Sequence, residues 1–197
     1  MATERAVNDF YPTQPELALA ITELVAGLLP LPIGLVIEPS AGTGAFIRAA
    51  KQVWPHVPAC GVDIDPAMVP HLRAAGADDI YVGDWVEAMN TYTLEPGTLI
   101  LGNPPFGLAQ EHITAGNRAL AKGDFQAMLL RMSFLGSRQR VEFWQEFPAR
   151  YLIPLVPRPK FIVGKSGDNS EYGVFVWQSG YTGTTELLPT LVWKEGR

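Results

Sequence analysis

The chain has 197 residues, 47% of them hydrophobic and 18% charged, with one cysteine and a net charge of −5. That size and apolar content suit one domain burying roughly 70% of its unfolded surface without a metal or disulfide staple, and a lone Cys60 excludes both a disulfide framework and a cysteine-based zinc cluster. The apolar runs stop short of the roughly 18 residues a membrane span needs, and no signal-like start is visible, so the expectation is a cytoplasmic protein in a reducing compartment.

Charge is unevenly spread. Residues 1–117 hold 4 Lys/Arg against 13 Asp/Glu, residues 118–165 hold 9 against 3, and residues 166–197 hold 2 against 4. The basic block reads either as a patch that neutralises phosphates or as the solvated face of helices.

Thr13 follows a proline-punctuated turn and can cap the helix that Pro15 opens. Apolar residues at Leu17, Ala20, Ile21, Leu24, Val25 and Leu28 give Glu16 to Leu29 a helical period. Gly34 to Glu38 reads as the first strand, and Pro39-Ser-Ala-Gly-Thr-Gly44 as a turn into a helix from Ala45 to about Val53. Glycines let such a turn approach a ligand closely, and the helix N–H groups attract an anion. Ala59 to Ile64 is the second strand. Its Asp63 stands 19 residues past Gly44, the range at which an acidic residue takes ribose hydroxyls in doubly wound folds. Asp65 caps a helix begun by Pro66 and stopped at Gly76. Ile80 to Asp84 makes the third strand, followed at once by Trp85.

Leu99-Ile-Leu-Gly-Asn-Pro-Pro-Phe106 is a buried strand running into a stiff polar loop. Pro104 and Pro105 fix φ and lack N–H groups, so Asn103 and the neighbouring carbonyls are held as acceptors for an amino group. Phe106 offers a flat face to the ring bearing that amine, and stacking of a base on an aromatic side chain is worth roughly 1–3 kcal/mol. Each of the four strands delivers a polar group at its carboxyl end, the edge at which open α/β sheets bind ligands. Beyond Phe106 the pattern predicts a helix over Leu108 to Lys122, a strand over Phe125 to Met132 and a short helix over Arg138 to Phe147. A closing hairpin follows, its arms Arg158-Pro-Lys-Phe161 and Tyr172 to Trp177, with an edge strand within Leu187 to Trp193.

Asn103 to Phe106 resembles the Asn-Pro-Pro-aromatic motif of S-adenosylmethionine-dependent amino-methyltransferases that modify the exocyclic amine of adenine. Glu38-Pro-Ser-Ala-Gly-Thr-Gly-Ala-Phe46 is similar to the first motif of that family, and Gly61-Val-Asp-Ile-Asp-Pro66 to its second. The resemblance covers roughly residues 10–106. It implies a single α/β domain, a Rossmann-like class I methyltransferase with a mostly parallel sheet, helices on both faces and an antiparallel C-terminal hairpin. Residues 10–106 would form the cofactor and catalytic half and 107–197 the substrate-facing half. The implied cofactor is S-adenosylmethionine, held by Thr13, Glu38, Ser40, Gly42, Gly44, Asp63, Ile64, Asp84 and Trp85. Within that set Thr13 meets the carboxylate, Asp63 the ribose and Ile64 the adenine, while Asp84 accepts the adenine amine with Trp85 beside the ring.

The same resemblance makes Asn103, Pro104 and Phe106 catalytic toward N6 of an adenine flipped out of DNA. Pro105, Arg158, Lys160 and Phe161 become substrate contacts, with Phe161 as the second wall of a base slot. The closing segment is similar to that of small phage-type adenine methyltransferases, and since no separate target-recognition domain fits after residue 180, the expected recognition site is short or relaxed. Simpler readings stand beside these: Thr13 as a helix cap, Trp85 and Phe161 as core. RNA bases and protein glutamine are alternative substrates, and a non-catalytic scaffold of the same fold is an alternative class. A nicotinamide dehydrogenase shares the glycine turn and Asp63 but leaves Asn103 to Phe106 unexplained.

Overall fold

The computed structural model describes residues 12–30, 32–159, 161 and 170–195. Its parallel half alternates strand and helix: α1 Pro15–Leu28, β1 Leu35–Pro39, α2 Ala45–Val53, β2 Ala59–Asp63, α3 Val69–Ala75, β3 Asp79–Val82, α4 Trp85–Thr91, β4 Thr98–Gly102, α5 Ala109–Ala119 and β5 Phe125–Arg131. The remainder comprises α6 Val141–Glu146, β6 Tyr151–Val156, β7 Tyr172–Gln178, and two-residue strands β8 Glu186–Leu187 and β9 Leu191–Val192. The strands share one sheet in the order β3-β2-β1-β4-β5-β7-β6-β8, with β9 also on β6. β1 to β5 pair in parallel, whereas β7 runs antiparallel to both β5 and β6.

β4 and β5 read as unbroken apolar runs because both of their faces are covered. Leu99, Leu101, Phe125, Ala127 and Leu129 face α1 and α2, while Ile100, Met128 and Leu130 face α4, α5 and α6. Side chains of this size each contribute roughly 1.5–3 kcal/mol when fully buried, so the two central strands anchor whatever loops leave their ends. α3 packs with α2 through Leu72 and Ile47 over the outer strand β2.

Three predicted boundaries shift. The first arm of the hairpin is β6, not Arg158 to Phe161: Leu152 pairs with Phe175 and Ile153 with Val174, because the apolar run from Tyr151 buries against β7. The closing segment 186–192 supplies two short parallel strands on β6 rather than one edge strand. A helix not anticipated from the pattern, α4, starts at Asp84, whose carboxylate accepts from the Glu87 N–H at 2.9 Å. Among the described residues no helix is long and apolar enough to cross a membrane.

Candidate active site

The site forms where β1, β2, β4 and β5 end. β1 delivers the turn Ser40 to Gly44, in which Ser40, Gly42 and Gly44 all have positive φ (51°, 52° and 74°). Gly44 also admits no side chain, since a Cβ there would lie 2.7 Å from the Ala75 Cβ. The turn is pinned to β2 by two bonds: Ala41 N–H donates to the Val62 carbonyl at 2.9 Å, and Gly42 N–H to Asp63 Oδ2 at 2.7 Å. Asp63 Oδ1 accepts from Asp65 N–H at 2.9 Å. Each carboxylate oxygen has two lone pairs, so Asp63 is both oriented by the backbone and able to accept from a ligand. Beside it Ile64 is 62% exposed, a large apolar side chain placed in the open next to an acceptor pair.

Glu38, assigned to cofactor contact by the resemblance, is instead sealed beneath the turn. It is 4% exposed and accepts from Phe46 N–H at 3.2 Å and Ile47 N–H at 2.9 Å. Those are orphan donors of the first turn of α2, so Glu38 holds the helix start that carries Gly42 and Gly44. Burial raises its carboxyl from 4.5 to about 8, against the opposing pull of the two N–H groups. Trp85, expected beside the cofactor ring, is 2% exposed and its Nε1 donates to the His112 carbonyl at 3.1 Å; its indole is core. Asp84 is spent in part on capping α4.

β4 ends at Gly102, which packs closely on Pro39: a Cβ there would stand 3.2 Å from Pro39 Cδ, a tight contact. The Asn-Pro-Pro-Phe loop therefore starts beside Pro39, the residue before the glycine turn. Asn103 Nδ2 donates to Thr13 Oγ1 at 3.2 Å. Thr13 therefore does not cap α1, whose N-cap is Gln14 with no side-chain bond. Pro104 is buried and Pro105 partly so.

Phe106 joins an aromatic group. Phe161 meets it edge-on, with centroids 6.2 Å apart and planes at 72°, and Tyr172 is tilted at 5.8 Å. The Phe161 ring is thus packed into a corner, 8% exposed, and does not make a wall parallel to Phe106. The Arg131 guanidinium lies over the Phe106 ring at 4.8 Å, and its Nε donates to Tyr172 Oη at 3.3 Å. Arg131 comes to the site because it ends β5 opposite Tyr172, a register that sequence spacing alone does not reveal. Arg158 is exposed and ion-paired with Glu171. Lys160 and Lys165 lie outside the described residues.

The basic block does not form one patch. Arg131, Arg138 and Arg158 follow the carboxyl ends of β5 and β6, whereas Arg118, Lys122 and Arg150 lie by the opposite sheet edge, just before those strands begin. Arg118, Arg131, Arg140 and Arg150 each rest over an aromatic ring. Burial pushes the Cys60 thiol up to about 11, which keeps it from acting as a nucleophile. Among the described residues no cluster of His, Cys, Asp and Glu could hold a metal.

The residue that sequence reading missed is His112, on α5. Its Nε2 lies 2.9 Å from Ser40 Oγ and its Nδ1 lies 3.0 Å from the Leu108 carbonyl. The Leu108 contact is to a backbone carbonyl at the N-cap of α5 and Ser40 is 72 residues away, so neither partner is marked by residue type or spacing.

No family model matches the chain. The type II methyltransferase M.CvrRI of Paramecium bursaria Chlorella virus XZ-6E is 37% identical over 71 residues, 36% of this chain and 18% of that relative. The chain thus matches less than a fifth of that protein's length. Among solved structures, a Listeria monocytogenes protein described as a class I S-adenosylmethionine-dependent methyltransferase superposes with a TM-score of 0.69 at 14% identity, covering 94% of this chain and 67% of that one. The M protein of the type I restriction enzyme EcoKI gives 0.66 at 16% identity over 91% and 48%. TrmN from Thermus thermophilus gives 0.61 at 20% over 84% and 48%. The chain therefore has the Rossmann-like α/β fold of the class I methyltransferases and is similar in sequence, over 71 residues, to a type II methyltransferase.

Proposed function

We propose that the chain transfers a methyl group from S-adenosylmethionine to the exocyclic N6 amine of adenine in DNA. The observation that carries this reading is the position of Asn103 to Phe106: the loop leaves the central strand beside the end of β1, where Gly102 lies against Pro39, and its Asn103 amide contacts Thr13. The cofactor fits the residues present. Asp63 supplies acceptor oxygens for ribose hydroxyls, the exposed Ile64 a surface for an adenine ring, and the turn Ser40 to Gly44 backbone N–H groups near a helix start.

The adenine amine is a weak nucleophile because its lone pair is delocalised into the ring. Asn103 Oδ1 and the Pro104 carbonyl accept its two hydrogens and favour the pyramidal form. Phe106 holds the ring in place by stacking, and the site's work is chiefly positioning. When bound, S-adenosylmethionine supplies a methyl carbon whose bonding pair leaves with sulfur while the N6 lone pair makes the new bond. The N6 proton then passes to water, and no covalent bond to the protein is needed.

DNA is favoured as substrate by the similarity to M.CvrRI together with Arg131, Arg138 and Arg158 on the site's own edge of the sheet. The test is transfer of labelled methyl to unmethylated DNA, RNA and protein, with digestion to nucleosides and amino acids. N6-methyladenine from DNA is the expected product; label in RNA or in glutamine instead would keep the mechanism and replace the substrate.

A further inference from the structure

His112 has no part in the mechanism above, yet it touches three segments of the site. The side chain is 3% exposed. A carbonyl oxygen only accepts, so the 3.0 Å contact with Leu108 puts the proton on Nδ1. Burial holds the ring below its ordinary basicity, which leaves Nε2 as an acceptor and makes Ser40 Oγ–H the donor across 2.9 Å. The His112 backbone carbonyl meanwhile takes the Trp85 Nε1–H, at the start of the helix that Asp84 caps.

Those partners have distinct places. Ser40 opens the glycine turn and is the one non-glycine residue with positive φ among the described residues, a conformation that persists only where its surroundings enforce it. Leu108 ends the single 3-10 turn, Phe106–Leu108, that continues the Asn-Pro-Pro-Phe loop. We propose that His112 is a positioning residue that ties the cofactor turn to the Asn-Pro-Pro-Phe loop and, by consuming the Ser40 hydroxyl proton, presents Ser40 Oγ as a hydrogen-bond acceptor for a donor group of the cofactor. The inference rests on the methyltransferase reading and deepens it. Without His112 nothing fixes the direction of the Ser40 O–H, and the acceptor is no longer preorganised.

The test uses the full chain and calorimetric binding of S-adenosylhomocysteine, which carries the same donor groups, to the wild type, Ser40→Ala, His112→Phe and the double variant. Phenylalanine keeps the buried ring volume, and a melting curve recorded beside each titration shows that the variant is fully folded at the temperature of binding, where stability no longer enters the apparent affinity. Each single variant is expected to bind about ten-fold more weakly, the cost of one buried polar contact, and the double variant no more weakly than His112→Phe. His112→Phe also loses the Leu108 bond, so its kcat at saturating cofactor falls further than that of Ser40→Ala. Wild-type affinity in either single variant, or effects that multiply in the double variant, overturns the inference. Should His112→Phe fail to fold, the Ser40→Ala affinity decides alone. A wild-type chain that binds no S-adenosylhomocysteine overturns the cofactor reading itself, and this inference with it.

Discussion

Under the proposed function Asn103 carries chemistry at little cost to the fold, because it sits just past a strand's end, half-buried, with Thr13 as a side-chain partner across 3.2 Å. Asn103→Ala is expected to lower methyl transfer by about 10²-fold or more, the scale seen when one preorganised polar group aimed at a reacting centre is lost, with cofactor affinity and melting temperature near wild type. A labelled-methyl assay beside a calorimetric titration checks both halves, and equal loss of binding and turnover would assign Asn103 to the cofactor instead. Asp63→Ala separates the other way: it removes the proposed ribose acceptor and leaves Gly42 and Asp65 N–H groups without their partner, so affinity for S-adenosylhomocysteine should fall about ten-fold. The placement of Asp63, Ile64 and Asn103 was legible in the sequence, since each stands at or just past a strand's carboxyl end. Glu38, Trp85 and Phe161 were misplaced because motif position says which loop a residue belongs to and not whether its side chain points down into the core or up toward a ligand.

At the level of elements, α2 and its turn carry the most exposed dependence on pH and packing. Glu38 titrates near 4.5 in an unfolded chain and near 8 in the folded one, so between those values the folded protein holds the extra proton. The stability this group gives is complete below pH 4.5 and is lost as pH rises through 8, with a slope of up to about 1.4 kcal/mol per pH unit. Urea unfolding between pH 5 and 9 should show that decline, and Glu38→Gln should flatten it; an unchanged slope would mean that the two N–H bonds to Phe46 and Ile47 keep the carboxylate charged. Gly44→Ala is expected to cost about 1–3 kcal/mol, since it combines a left-handed backbone with a Cβ only 2.7 Å from the Ala75 Cβ; the denaturation midpoint measures it. The parallel elements were readable from the sequence because each apolar run is closed by its own turn signal. The hairpin was not, because β6 carries Pro154 within its run, and antiparallel pairing to β7 across a connection of some fifteen residues leaves no local mark.

For the whole molecule, the sheet's direction sorts charge that the sequence presents as one block. Arg138 follows β5 on the edge that carries Asn103, while Lys122 precedes β5 at the far edge, and both are exposed. Arg138→Glu is expected to weaken DNA binding and reduce its salt dependence by about one ion, whereas Lys122→Glu should change neither; titrations of a labelled duplex at several salt concentrations read both. Equal effects of the two would show that DNA spans the molecule rather than meeting one edge.

The guanidinium of Arg131 lying over Phe106 gives that aromatic surface an occupant before any substrate arrives. For a flat ring coming to that face, entry is an exchange of one stacked plane for another and not the wetting and drying of a bare surface. The gain is then only the difference between two stacking energies, against a cation–π contact of roughly 0.5–2 kcal/mol. If the proposed function holds, a ring that stacks weakly would not displace the arginine, and the resident side chain would favour purines over pyrimidines before any hydrogen bond to Asn103 forms.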